Sequence, residues 1–425
     1  MAMHAVHKIL ASASDKEKVA PGELINAKVD IVGINDIYLT ALVSFHEMGG
    51  QKVWNADKVV FFFDHNAPSS VLKASENQKA MRKFIREQGV THLFDINDGI
   101  CHQVLPEAGM VKPGDVIVIT DSHTTTNGAF GAFGTGVGST DVAIAMLTGE
   151  LWLRVPDIIK LNLEGQLREG VMAKDLSLFL LGKLGTSFAS YKVIEFTGST
   201  VMNLPLEERM VLCNMALEMG AKSAYIQPDD LVIEYVKSRT DQEFKVYETD
   251  SHYQYYGEYS FDVGELGPQV ALPHSVNNVR AIEETDEIPI DQVFIGSCTG
   301  GKLTDLAVAA NFLEGKHIVN STRLIVTPAS KEVLIEAIDR GYYRILLDAG
   351  AVFTPPGCGA CFGGHSGILA SHERCATTSN RNFPGRMGSN DAEVYLVSPL
   401  TAAATALTGK LTHPYNYKEL ALQNG

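Results

Sequence analysis

Six cysteines among 425 residues are too few for a disulfide scaffold, which points to a reducing, cytoplasmic location. The opening stretch, M-A-M-H-A-V-H-K-I-L-A-S-A-S, has no uninterrupted apolar segment of the kind a secretory leader carries. Long apolar runs are missing too. Val59 to Phe63 and Leu176 to Leu181 are among the longest, far short of the ~18 residues a membrane span needs. Basic residues are scarce, 35 against 50 acidic, and the net charge of -15 argues against a nucleic-acid surface. An anionic substrate would have to be caught by local arginines. There is no internal repeat and no low-complexity tract, and the length allows two to four domains, each with its own core.

What is present centres on P-P-G-C-G-A-C-F-G-G, Pro355 to Gly364, which sets Cys358 and Cys361 two residues apart among glycines. Upstream, V-F-I-G-S-C-T-G-G places Cys298 after an apolar run, Val293 to Ile295, that reads as a strand turning into a helix. Three thiolates from two loops suit an iron-sulfur cluster with one iron left open, because such clusters otherwise take four protein ligands. A zinc site or a redox dithiol are the competing readings of a C-x-x-C pair. Cys101, Cys213 and Cys375 each stand alone and read as small buried apolar residues.

The first third alternates helical stretches (Ala5 to Ala11, Leu39 to Met48, Gln78 to Gln88) with strands (Ile25 to Val32, Val59 to Phe63), the pattern of an α/β layer fold. Asp64 and His65 follow the apolar strand directly, at the end where ligands gather in open α/β sheets. They are either a proton-transfer pair or a hydrogen-bonded loop pair. A second such pair follows the strand Val116 to Thr120, in Asp121-Ser122-His123-Thr124. Chain neighbours cannot form a serine-hydrolase triad, so this group orients a proton carrier or a ligand. The run G-A-F-G-A-F-G-T-G-V-G from Gly128 to Gly138 lacks the G-x-G-x-x-G spacing and a Walker lysine. Its glycines let the backbone approach a cofactor or another strand. Ser139 to Trp152 is expected as a helix capped by Ser139 or Thr140.

A strand from Ile158 to Leu163 opens a second domain, in which Leu206 to Met219 is helical and sets Asn214 and Glu218 on one face. A solvent-facing Asn and Glu is the plainer reading of that pair. Residues 238 to 287, rich in tyrosine, read as irregular. From Ile288 strands and helices alternate again, and the block T-T-S-N-R-N-F-P-G-R-M-G from Thr377 to Gly388 carries Arg381 and Arg386. Two arginines in such a loop suit a dicarboxylate, each clamping one carboxylate, or form a solvated basic turn.

Taken together, these segments resemble the large subunit of the aconitase family, a group that includes 3-isopropylmalate dehydratase, homoaconitase and 2,3-dimethylmalate dehydratase. Eight motifs carry the resemblance: F-D-H at Phe63, G-I-C-H-Q at Gly99, D-S-H-T at Asp121, G-V-G-S-T-D at Gly136, C-N-M-A-L-E at Cys213, I-G-S-C-T at Ile295, C-G-A-C at Cys358 and N-R-N-F-P-G-R-M-G at Asn380. The resemblance implies three aconitase-like α/β domains (residues 1–157, 158–287 and 288–425) around a cluster, without the swivelling fourth domain. It implies a 4Fe-4S cluster with one labile iron on Cys298, Cys358 and Cys361. Asp64 and His65 would protonate a departing hydroxyl; His102, Asp121, His123 and Glu218 would complete the hydrogen-bonded shell. Ser122, Asn214, Asn380, Arg381 and Arg386 would hold substrate, a small di- or tricarboxylate.

In the family the base that takes the carbon-bound proton is a serine of the swivelling domain, so a small subunit is expected as partner, with no nucleic acid and no membrane. Thr125, Asn127 and Gly300 replace Cys, Tyr and Asn of the biosynthetic members' D-S-H-T-C-T-Y-G and S-C-T-N-G patterns. That drift favours a hydro-lyase for 2,3-dimethylmalate, with 3-isopropylmalate or homoaconitate dehydration as the alternative. A cluster-dependent sensor or RNA-binding protein is the reading from another class, and the negative charge opposes it.

Overall fold

Val59 to Phe63 have no exposed surface at all, as expected for a strand of a parallel sheet covered on both faces. In the computed structural model, which describes residues 2–416, this segment is the second strand of a five-stranded, all-parallel sheet. Its spatial order is His92–Phe94, Val59–Phe62, Ile31–Asn35, Val116–Ile119, Phe133–Gly136. The chain therefore winds outward from Ile31–Asn35 in one direction and then returns to wind the other way. Between Ile31–Asn35 and Val116–Ile119 lies a switch point, where connections leave to opposite sides and open a crevice at the strand ends.

The second sheet, also parallel, runs Ser223–Tyr225, Val193–Thr197, Ile158–Glu164, Gly257–Asp262. The third has seven strands, and its parallel part repeats the winding of the first. Gln292–Ile295 is flanked by Arg323–Val326 and then Val352–Phe353 on one side, and by Arg374–Thr377 and Glu393–Leu396 on the other. A second switch point thus lies between Gln292–Ile295 and Arg374–Thr377. Gln269–Ala271 and Val279–Ala281 add an antiparallel edge to this sheet, although they precede Ile288 in the chain.

Several expected elements change. The stretch from Ile25 to Val32 splits into Leu24–Lys28, which pairs with Glu150–Arg154 in a separate ribbon, and Ile31–Asn35. The helix begun at Ser139 ends at Thr148, because Gly149 takes a left-handed conformation (φ 73°) that stops it. Its N-cap is Gly138, without a side-chain cap. Residues 238–287 contain three short strands that composition hid. Gly257–Asp262 is a largely exposed edge strand with polar residues, so it lacks the apolar signature of a core strand. Among the described residues no helix is long and apolar enough to cross a membrane.

The glycine run is explained by backbone contact. A Cβ on Gly128 would lie 2.0 Å from the Ala224 carbonyl oxygen of the second sheet, and one on Gly136 would lie 2.6 Å from the Asp121 carbonyl. These glycines bring the 3-10 segment Ser122–Phe130 against both sheets, with no room for a side chain. Gly128→Ala is therefore expected to destabilise the chain by about 1–3 kcal/mol through overpacking, read as a lower midpoint in urea unfolding.

Candidate active site

Many of the residues singled out above follow the C-terminal ends of parallel strands at or beside the two switch points, while His102, Asn214 and Glu218 lie on helices. Asp64 and His65 follow Val59–Phe62, Asp121 follows Val116–Ile119, Cys298 follows Gln292–Ile295, and Asn380 and Arg381 follow Arg374–Thr377. The two crevices face each other. The backbone N–H of Cys358 donates to the Asp64 carbonyl at 2.8 Å, so the cysteine loop of the third sheet is seated on the first. Asp64, His65 and Cys358 bring one ligand-type atom each within 4.8 Å of one another.

His65 lies 2.7 Å from Asp64 through Nδ1 and 3.7 Å from Asp121 through Nε2. His102 Nε2 is 2.9 Å from Asp121, and the Asp121 carboxylate also accepts the backbone N–H of His123 at 2.8 Å. His123 Nε2 in turn is 2.9 Å from Glu218, which accepts from Arg381 Nε at 2.8 Å, while Arg381 Nη2 donates to Ser122 at 3.2 Å. One chain of carboxylate–imidazole and carboxylate–guanidinium contacts thus runs from Asp64 to Arg381, with Asp64, His65 and His123 buried and Asp121, Glu218 and Arg381 partly so. The solvent-facing reading of Asn214 and Glu218 is overturned. The helix Leu206–Met215 tightens into a 3-10 turn at Ala216–Met219, and both side chains point inward.

Asn214 donates to Thr126 at 2.8 Å and to the Cys298 sulfur at 3.1 Å, and it accepts from Asn380 at 2.6 Å. Asn380 Oδ1 lies 3.8 Å from the Cys298 sulfur and 3.6 Å from that of Cys361, so the two amides bracket the thiols. Arg386 Nη2 donates to Cys361 at 3.4 Å, and its buried Nε has no partner. All three cysteines are free thiols. Burial pushes the Cys298 thiol up to about 11 and the Cys358 thiol well above its ordinary value, with the neighbouring thiols adding to both. Three reduced sulfurs surrounded by amide and guanidinium donors form a donor set that fits a soft metal cluster. Zinc ribbons, which need a second cysteine pair, fit it less well.

Electrostatics separate the acids from the bases. Burial raises Asp64, but the charge and hydrogen bond of His65, with donors from Cys101 N–H and Asn35, outweigh it and hold the carboxyl below the usual range. Burial likewise opposes the proton on His65, yet Asp64, Asp36 and Asp121 prevail and carry the imidazole to about 9. His102 and His123 overcome the burial of Asp121 and hold it well below the carboxylate range. Glu218 is lowered against burial by His123 and Arg381.

Some participants escaped the sequence reading. Asn35 and Asp36 stand at the end of Ile31–Asn35, and Asp36 accepts the backbone N–H groups of His65 and Asn66 at 3.1 and 3.0 Å. The strand-end rule that singled out Asp64 applied equally to them. Lys174, buried in an apolar helical stretch, gave no such signal.

Fold and site together define an α/β enzyme in which paired acids and imidazoles work beside a three-thiol centre. The profile of the Aconitase family (aconitate hydratase) matches residues 7–287 and 279–409, and the chain belongs to that family. It is a hydro-lyase, and enzymes of this family generally use a 4Fe-4S cluster. Among its relatives are 3-isopropylmalate dehydratase large subunit 1 of Methanopyrus kandleri (49% identical, 96% of this chain and 98% of that one) and the probable 3-isopropylmalate dehydratase large subunit of Methanothermobacter thermautotrophicus (46%, 98% and 100%). The large subunit from Aquifex aeolicus is 44% identical, with 97% of each chain covered. The crystal structure of Thermococcus kodakaraensis aconitase X, at 14% identity, shares the fold with a TM-score of 0.50 over 90% of this chain and 94% of that one.

Because the folded pKa of His65 is raised, to about 9 from an ordinary 6.5, its share of stability is complete below pH 6.5 and is lost as pH rises through about 9. Nitrogen NMR of the imidazole in metal-free protein is expected to show both ring nitrogens protonated at neutral pH. A neutral ring there would contradict the geometry.

Proposed function

We propose that the chain is the cluster-bearing large subunit of a 3-isopropylmalate dehydratase. The observation that carries this reading is the adjacency of three reduced thiols, the hydrogen-bonded Asp64–His65 pair and the unpartnered buried Nε of Arg386. The names of relatives covering nearly the whole chain support the substrate, in place of the 2,3-dimethylmalate favoured above. The departures behind that preference are accounted for by packing. Thr125 and Asn127 are fully buried against the backbone carbonyls of Asn214 and Thr124. A Cβ on Gly300 would lie 2.0 Å from the Thr378 hydroxyl, so glycine there answers to packing.

Cys298, Cys358 and Cys361 would hold the cluster, which when bound supplies a Lewis-acidic iron for the hydroxyl and a carboxylate of the substrate. Hydroxide is a poor leaving group at neutral pH, so His65 serves as the acid that delivers its proton to the departing oxygen. Asp64, kept ionised by His65 with help from the Cys101 N–H and Asn35, fixes the ring through Nδ1 and leaves Nε2 as the reacting nitrogen. Asp121 steadies the same ring from the far side and orients His102. Arg386 offers its free Nε to a carboxylate. Arg381 is already tied to Glu218 and Ser122 and contributes mainly by ordering the wall that carries them. A small subunit, which the relatives' names imply, would supply the serine base for the carbon-bound proton, as the family resemblance suggests.

Anaerobic reconstitution with iron and sulfide, followed by mixing with the small subunit, is expected to give interconversion of isopropylmalates, followed by ultraviolet absorbance of the conjugated alkene. Each subunit alone should be inactive. Protein that takes up zinc and no iron would end this reading, and turnover of 2,3-dimethylmalate alone would reverse the substrate choice. His65→Asn is expected to lower kcat by about 10²–10⁴-fold, the usual range for a lost proton donor. Arg386→Ala should lower kcat/KM by roughly 10- to 100-fold, the loss of about 1.5–3 kcal/mol for hydrogen bonds to a charged group.

A further inference from the structure

Lys174 lies on the helix Ala173–Leu184, packed behind the cysteine loops, and has 1% of its surface exposed. Its ammonium donates to the Ser379 carbonyl at 2.6 Å, the Thr378 carbonyl at 3.0 Å and the Thr299 hydroxyl at 3.2 Å, and the Met215 sulfur lies 3.8 Å away. Every oxygen acceptor belongs to a loop that carries a site residue: Thr299 follows Cys298, and Ser379 precedes Asn380. Among the described residues Lys174 makes no ion pair.

A buried cation without a counter-ion is costly, typically several kcal/mol, and persists where a charge of opposite sign arrives. Lys302, the other lysine buried at this junction, donates to the Cys298 carbonyl but has Asp305 and Glu208 beside it. For Lys174 the sulfurs of Cys298 and Cys361 come first among the charges that favour its protonated form, ahead of Glu218 and Asp305, against a burial that draws it down to about 8. Three thiolates would bring three negative charges to these loops. Arg386 meets the centre at Cys361, and Lys174 holds the residues beside Cys298 and Asn380.

We propose that Lys174 is a positioning residue that acts as the buried counter-charge of the three-thiolate centre, holding the Cys298 and Asn380 loops in register and raising the reduction potential of whatever cluster they carry. This rests on the cluster reading above. The cation stabilises added negative charge, so its removal makes reduction harder. The hydrogen bonds and the charge can be separated. Lys174→Gln keeps a donor for the loop carbonyls and removes the charge, whereas Lys174→Arg keeps the charge.

The test is spectroelectrochemical titration of anaerobically reconstituted wild type, Lys174→Gln and Lys174→Arg, with iron and sulfide content measured in parallel. The expected result is equal iron loading, a midpoint potential displaced to more negative values in Lys174→Gln, and a value near wild type in Lys174→Arg. An unchanged potential in iron-loaded Lys174→Gln overturns the proposal and leaves Lys174 a plain structural staple. Wild type that takes up no iron overturns the cluster reading itself, and the role with it. If Lys174→Gln does not fold, Lys174→Met, which fills the volume without charge, takes its place. Failure of both neutral variants to fold before any metal is added overturns the proposal too, since the charge would then serve the fold alone.

Discussion

A carboxylate placed out of water has to be held in its charged form by its neighbours, and Asp121 is the place where this protein meets that demand. Three histidines approach it, His65 at 3.7 Å, His102 at 2.9 Å and His123 at 3.5 Å, and His102 and His123 outweigh the penalty of burial. Removing one member of such a set leaves a neighbour's charge unpaired, at a cost of about 3–5 kcal/mol, so the network stands as a unit. Its geometry cannot be rearranged piecemeal.

The same network joins the three layers. Asp121 follows a strand of the first sheet, Glu218 lies in the 3-10 turn after Leu206–Met215, and Arg381 follows a strand of the third; His123 links the first two and the last two bond directly. Asn214 and Asn380 make a parallel connection across the thiols. Proton-transfer groups and metal ligands are therefore positioned by one continuous set of hydrogen bonds. That allows an acid on one sheet to be poised against ligands on another.

Glycine supplies the close approach that this arrangement needs. Gly128 and Gly136 let the segment after Asp121 lie on the backbone of its neighbours, and Gly357, at φ 153°, lets the Cys358 loop rest on the Asp64 carbonyl. A side chain at Gly357 would push the first and third sheets apart, and one at Gly128 the first and second. The glycine run that resembled a nucleotide loop is thus a packing surface, and the physical test for it is contact with backbone rather than with phosphate.

Much of this was legible in the chain. Short apolar strands ending in Asp-His or Asp-Ser-His located Asp64, His65, Asp121 and His123, since polar groups directly after a buried strand must lie at a sheet's edge. Cysteine spacing set Cys358 and Cys361 together, because two intervening residues leave few other geometries. Local pattern did not reach Asn214, Glu218 and Lys174, because a polar residue on an apolar helix reads the same whether it faces water or a partner from another sheet. Nor could it show that Thr125, Asn127 and Gly300 answer to packing. The sequence by itself determined the α/β layering, the thiol triad and the strand-end acids, all of which follow from spacing along the chain. Only the tertiary structure decided which of them meet and in which protonation state, because burial and long-range charge depend on neighbours that the chain brings from more than a hundred residues away, as with Asp64 and Cys358 or Glu218 and Arg381.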